Sequence, residues 1–78
     1  MKHLQHNIKA VVYFGEEQYV AECLDLPVVT QGKTMDETIG NLQEAVELHL
    51  EDENLSELGF VQNPALLITM EMDLANAA

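Results

Sequence analysis

The sequence predicts an α+β fold, a two-layer β-β-β-α-β arrangement in which one main helix covers one face of a mostly antiparallel sheet. Its strand candidates are short runs rich in β-branched and aromatic residues, separated by turn residues. A single stretch carries the spacing of an amphipathic helix. At 78 residues the chain has room for one small domain, with its core at 8–72 and flexible tails expected at 1–7 and 73–78.

Residues 8–14 read IKAVVYF and residues 19–24 read YVAECL, and the polar Gly15-Glu16-Glu17-Gln18 between them signals a β-hairpin. Asp25-Leu26-Pro27 breaks the second strand, because proline lacks an N–H and restricts its predecessor. Residues 28–31, bounded by Gly32, form a short third strand. Thr34-Met35-Asp36-Glu37 then has the capping-box form: Thr34 accepts from an early helical N–H and Glu37 reaches back to the Thr34 amide. On a wheel of about 100° per residue, Met35, Ile39, Leu42, Val46 and Leu50 make one stripe bordered by Thr38, Ala45 and His49, so this face is core. Gly40 costs the helix about 1 kcal/mol relative to alanine and is either a point of close approach to the sheet or simply tolerated. The helix is expected to end near Glu53, where Asp52, Glu53, Asn54 and Ser56 favour a turn. Residues 55–63 connect, with Leu55, Leu58 and Phe60 packing over the helix end; Pro64 closes the connection and residues 65–72, ALLITMEM, form the last strand.

Alternation divides the first strand into Ile8, Ala10, Val12 and Phe14 on one face and Lys9, Val11 and Tyr13 on the other. The last strand divides likewise into Leu66, Ile68, Met70 and Met72 against Ala65, Leu67, Thr69 and Glu71. Both faces are substantially apolar, yet one helix covers only one of them. The uncovered face is therefore expected to self-associate, with Val11 and Tyr13 in the contact, giving a homo-oligomer, dimer or tetramer.

Charge narrows the functional classes. Fourteen acidic residues against Lys2, Lys9 and Lys33, with no arginine, give a net charge of -11. Such a chain has little means of neutralising a run of phosphates and none of forking onto guanine, so direct nucleic-acid binding is not expected and an anionic membrane is disfavoured. A basic protein is attracted instead. Cys23 is the only cysteine, the first residues lack the apolar stretch of a secretory signal, and no apolar run approaches the roughly 20 residues that cross a bilayer. A cytoplasmic protein is expected.

The stretch 19–27, ending in Asp25-Leu26-Pro27, followed by Thr30-Gln31-Gly32-Lys33-Thr34-Met35-Asp36-Glu37, resembles the N-terminal domain of HicB-type antitoxins. The resemblance covers residues 8–53; Val28 stands where the family often has glycine. It implies a partial RNase H-like fold and a cytoplasmic protein that binds and neutralises a small basic RNA-cleaving toxin of HicA type. Family members that bind their own operator do so through a further DNA-binding domain, so operator binding is not implied for these residues.

An RNase H-like fold raises the question of a nuclease, whose chemistry needs carboxylates converging on divalent metal. In active members the first strand supplies an essential acid, whereas residues 8–14 hold neither Asp nor Glu, and Glu37, Glu44, Glu71 and Asp73 are scattered over a helix and a late strand. Cys23 and His49 read as packing residues, and His3 and His6 form too sparse a pair for a metal site. No catalysis, metal or cofactor is expected. The helix is more informative: Glu44, Glu47 and Glu51 share a flank near Glu37, and no lysine or arginine lies between Thr34 and Glu53 to pair with them. Like charges three and four apart repel by roughly 0.2–0.5 kcal/mol each. These acids are either a solvated face or a docking surface for a basic partner, with Leu48 as its apolar anchor. The reading that follows is an antitoxin-type binding module; the alternative is a stand-alone oligomeric structural or adaptor domain binding another protein.

Overall fold

A computed structural model describes residues 3–74. The order is β1 (Gln5–Phe14), β2 (Tyr19–Cys23), β3 (Val29–Gly32), α1 (Met35–Leu50) and β4 (Phe60–Met70). The fold is thus the expected α+β arrangement. The four strands form one sheet in the order β3-β2-β1-β4. β1 runs antiparallel to β2, and β2 to β3, whereas β4 runs parallel to β1. Of the expected tails, residues 1, 2 and 75–78 lie outside the described residues, and β1 takes in Gln5 to Asn7 because β4 supplies them with a parallel neighbour.

Alternation places Ile8, Ala10 and Val12 on the helix side of β1, where all three are buried with Ala21, Leu26, Val28, Leu42, Val46 and Phe60. The helix begins as its sequence requires. Thr34 is the N-cap and its hydroxyl accepts from the Glu37 N–H at 3.0 Å. The Glu37 carboxylate reaches one residue further back than a capping box predicts, accepting from the Lys33 N–H at 2.7 Å. Thr38, expected at the border of the stripe, is fully buried and donates its hydroxyl to the Thr34 carbonyl at 2.7 Å. Gly32 permits this approach, since a Cβ there would lie 2.6 Å from Thr38 Oγ1 and 2.9 Å from its backbone nitrogen. Gly40, by contrast, is exposed with open space around it, so it mediates no approach to the sheet.

Several boundaries differ from the sequence reading; β2 ends at Cys23 and β4 at Met70, one and two residues earlier than the sequence suggests. The third strand starts one residue later, because the Val28 N–H turns back to the Leu26 carbonyl at 2.8 Å while the Val28 carbonyl accepts from Cys23 at 2.9 Å. The helix ends at Leu50; Glu51 and Glu53 bond three residues back, a tightening that fits a negative run at the negative end of the helix dipole. β4 starts at Phe60 and not at residue 65. Residues 54–59 form a capped turn: the Asn54 side chain accepts from the Ser56 and Glu57 amides, and Gly59 (φ +94°) ends it with Gly59 N–H to Ser56 and Phe60 N–H to Leu55. That pattern is a Schellman closure, which favours glycine at its left-handed position. Phe60 is then delivered into the core and Leu55 against it, but Leu58 points outward, 40% exposed. Pro64 lies within β4, where the pairing with β1 is irregular between Gln5 and Asn7.

Candidate functional site

The helix covers only part of the face it packs on. It lies over β3 and β2. A helix is about 10 Å across and strands lie about 4.8 Å apart, so one helix shields about two strands. Between α1 and β4 this leaves an open groove of about 620 Å³. Ile39, Leu50, Leu55, Leu66 and Ile68 contribute its apolar floor and walls, and Glu47 and Glu51 line it from the helix, with Gln62 and Asn63 opposite.

The sequence-predicted contact residues separate on this geometry. Glu37, Glu44, Glu47 and Leu48 are exposed on α1, and Glu51 is exposed at its C-cap. Only Glu47 and Glu51 line the groove; Glu37, Glu44 and Leu48, itself 64% exposed, lie outside it. The apolar anchors inside the groove are residues that periodicity assigns to the core, Ile39 and Leu50 among them. The sequence reading missed them as groove residues; the signal that could have found them is the surplus of apolar side chains on the last strand relative to the width of a single helix.

Val11 and Tyr13 lie, as expected, on the face that α1 does not cover, beside Val20, Glu22, Leu67 and Thr69. Both are half-buried, and the Tyr13 hydroxyl donates to the Glu22 carboxylate. That hydrogen bond, with partial burial and the negative charges of Glu22 and Glu71, raises the Tyr13 phenol above its ordinary value. Leu67 and Val29 on the same face are 46% and 67% exposed.

The residues that carry the family resemblance do structural work. The Asp25 carboxylate accepts from the Lys9 N–H at 2.7 Å and the Lys9 carbonyl accepts from Leu24 at 2.8 Å, so Asp25 continues the β1–β2 ladder past its last pair. Leu26 is buried, and Val28, which stands where the family often has glycine, fills the core next to it. Gly32, Thr34 and Glu37 set the helix start.

The remaining candidates are placed apart. Burial, and after it the charge of Asp25, pushes the Cys23 thiol up, the opposite of what activates a nucleophile. Glu71 and Asp73 line a second cleft, of about 880 Å³, with Tyr13, Phe14, Tyr19 and three methionines, away from Glu44. Among the described residues no three His, Cys, Asp or Glu side chains are grouped to hold a metal ion, and no helix is long and apolar enough to cross a membrane. Comparison of the chain with known protein families, with curated proteins and with solved structures yields no match.

Proposed function

We propose that this chain is a non-catalytic, cytoplasmic antitoxin-type protein that binds and neutralises a small basic RNA-cleaving toxin of HicA type. The observation that carries the reading is the groove between α1 and β4, with an apolar floor and, on its helix side, Glu47 and Glu51, whose carboxylates have no cationic partner among the described residues. An amphipathic segment with basic residues along one edge is the complement of such a groove: its apolar face fills the floor and its cations meet the acids. The other acids, Glu37 and Glu44 included, steer the approach from a distance, and Leu48 adds apolar contact at the periphery. The β-β-β-α-β order and the structural roles of Asp25, Leu26, Gly32 and Thr34 support the resemblance to HicB-type domains on which the identity of the partner depends.

Co-expression with the small basic protein of the adjacent reading frame tests the reading. Rescue of growth and a co-purifying complex are expected, with affinity falling roughly tenfold or more for the pair Glu47→Lys and Glu51→Lys and falling again with added salt. A toxic neighbour that is not rescued, or binding indifferent to both changes, overturns it. The uncovered apolar positions on the sheet favour a second reading, a stand-alone oligomeric adaptor domain assembled through Val11 and Tyr13. A stable oligomer that captures no basic protein distinguishes it.

A further inference from the structure

We propose that the free edge of β4 pairs antiparallel with β4 of a second copy, joining the two sheets about a two-fold axis at Ile68. This contact uses the edge of the sheet and not the face that carries Val11 and Tyr13, and it is independent of the toxin. β4 is an outer strand of the sheet, with β1 on one side only. Val12 is opposite Met70, and the Val12 carbonyl accepts from the Glu71 N–H at 2.8 Å. Parallel pairing therefore turns the backbone groups of Met70 away from β1, and alternation turns those of Ile68 and Leu66 the same way. These N–H and C=O groups form an open template.

From Ala65 onward the template lacks the devices that blunt a sheet edge; Pro64 and the irregular pairing, which are two such devices, lie before it. From Ala65 to Met70 the register with β1 is unbroken, and no charged side chain occurs anywhere in β4. The opposite edge is finished otherwise: β3 has four residues, and the Asn41 amide of α1 donates to the Gln31 carbonyl at 2.8 Å.

A second copy is the occupant because β4 can pair with itself, and charge limits where two copies can meet. Two chains of net charge -11 repel wherever acids face acids, and β4 is the one long uncharged element either copy offers. Register then follows from the strand itself. Centring the pairing on Ile68 sets Leu66 against the partner's Met70 and Ile68 against the partner's Ile68, so every outward N–H and C=O of these residues is satisfied. The same register places Glu71 opposite the partner's Ala65, not opposite an acid. Centring on Leu66 or Leu67 brings Pro64, which has no N–H, into the ladder. The groove beside α1 opens on the helix side of the sheet and stays accessible in such a pair.

The test uses the full chain without any partner. Sedimentation over a concentration series is expected to show a dimer, and Met70→Pro, which removes an outward N–H at an exposed position, to weaken it by about tenfold or more while the circular dichroism of the fold persists. In a Cys23→Ala background, Ile68→Cys is expected to form an intermolecular disulfide on mild oxidation, because directly opposed residues in such a pair lie about 5.5 Å apart at Cα. Leu66→Cys is expected to give none with itself, its counterpart being about 13 Å away along the strand. A monomer at all concentrations overturns both this inference and self-association, leaving the toxin reading to its own test. A dimer that crosslinks at Leu66→Cys, or that ignores Met70→Pro, overturns this inference alone.

Discussion

At the β3 edge the chain completes its own structure: α1 lies overhead, Gly32 is tucked beneath Thr38, and Asn41 occupies the Gln31 carbonyl. At the β4 edge the same sheet carries Leu66, Ile68 and Met70 toward the helix side with no helix above them, and its outward backbone groups face away from β1. The difference shows how a chain with one helix and four strands divides its resources. One half of the sheet is closed by α1, and the other half stays open on the helix side.

The largest expected effect tests whether the two halves differ in energy. Leu42 is fully buried in the closed half, so Leu42→Ala should destabilise the domain by about 3–4 kcal/mol. Leu66 is only half-buried at the groove, and Leu66→Ala should cost less than about 1.5 kcal/mol in dilute solution. Urea unfolding midpoints of the two variants give the comparison directly. Equal costs would break it, because the β4 half would then be as closed as the β3 half.

Gly32→Ala follows in size. Its new Cβ would lie 2.9 Å from the Thr38 backbone nitrogen as well as against the side chain, so the helix start itself has to move. Overpacking of this kind costs about 1–3 kcal/mol, and the upper part of that range is expected because backbone cannot rotate aside. A neutral substitution would show that α1 is loosely seated on β3 and remove the contrast between the edges.

The element types and their order were legible in the sequence because each has a local cause: alternation in residues 8–14, the stripe from Met35 to Leu50, the Thr34 cap. What was not legible depended on where elements settle relative to one another. Periodicity places Ile39 and Leu50 on the apolar face of α1, but only the position of α1 over β2 and β3 makes Ile39 groove lining and sets Leu50 at the rim between groove and core. Pro64 reads as a stop for a strand; inside β4 it falls where the ladder with β1 is already irregular, so the strand extends back to Phe60. Thr38 looks like a border residue on a wheel and becomes buried because Gly32, distant in pattern but near in space, lets the helix approach.

Gly40 sharpens the same contrast with the opposite sign. It lies mid-helix on the solvent side with nothing near the place of a Cβ, so Gly40→Ala should stabilise by about 1 kcal/mol, read as a higher thermal midpoint. If stability falls instead, the outer face of α1 is in contact with something in solution and is not the free surface described above.

The smallest effect concerns the open face of the sheet, where the Tyr13 hydroxyl donates to Glu22. That hydrogen bond, then burial and the charges of Glu22 and Glu71, hold the phenol above its ordinary value. The sign follows: a raised phenol favours the neutral form in the folded state, so its contribution to stability is present below about pH 10 and is lost as pH rises through the folded value. In a Tyr19→Phe background, where Tyr13 is the only tyrosine left, ultraviolet titration is expected to show ionisation above about 10, and Glu22→Gln to bring it down. A midpoint that Glu22→Gln does not move would mean that the pair does not form in solution, leaving Tyr13 free to join Val11 and Leu67 in an apolar patch on the face that α1 leaves bare.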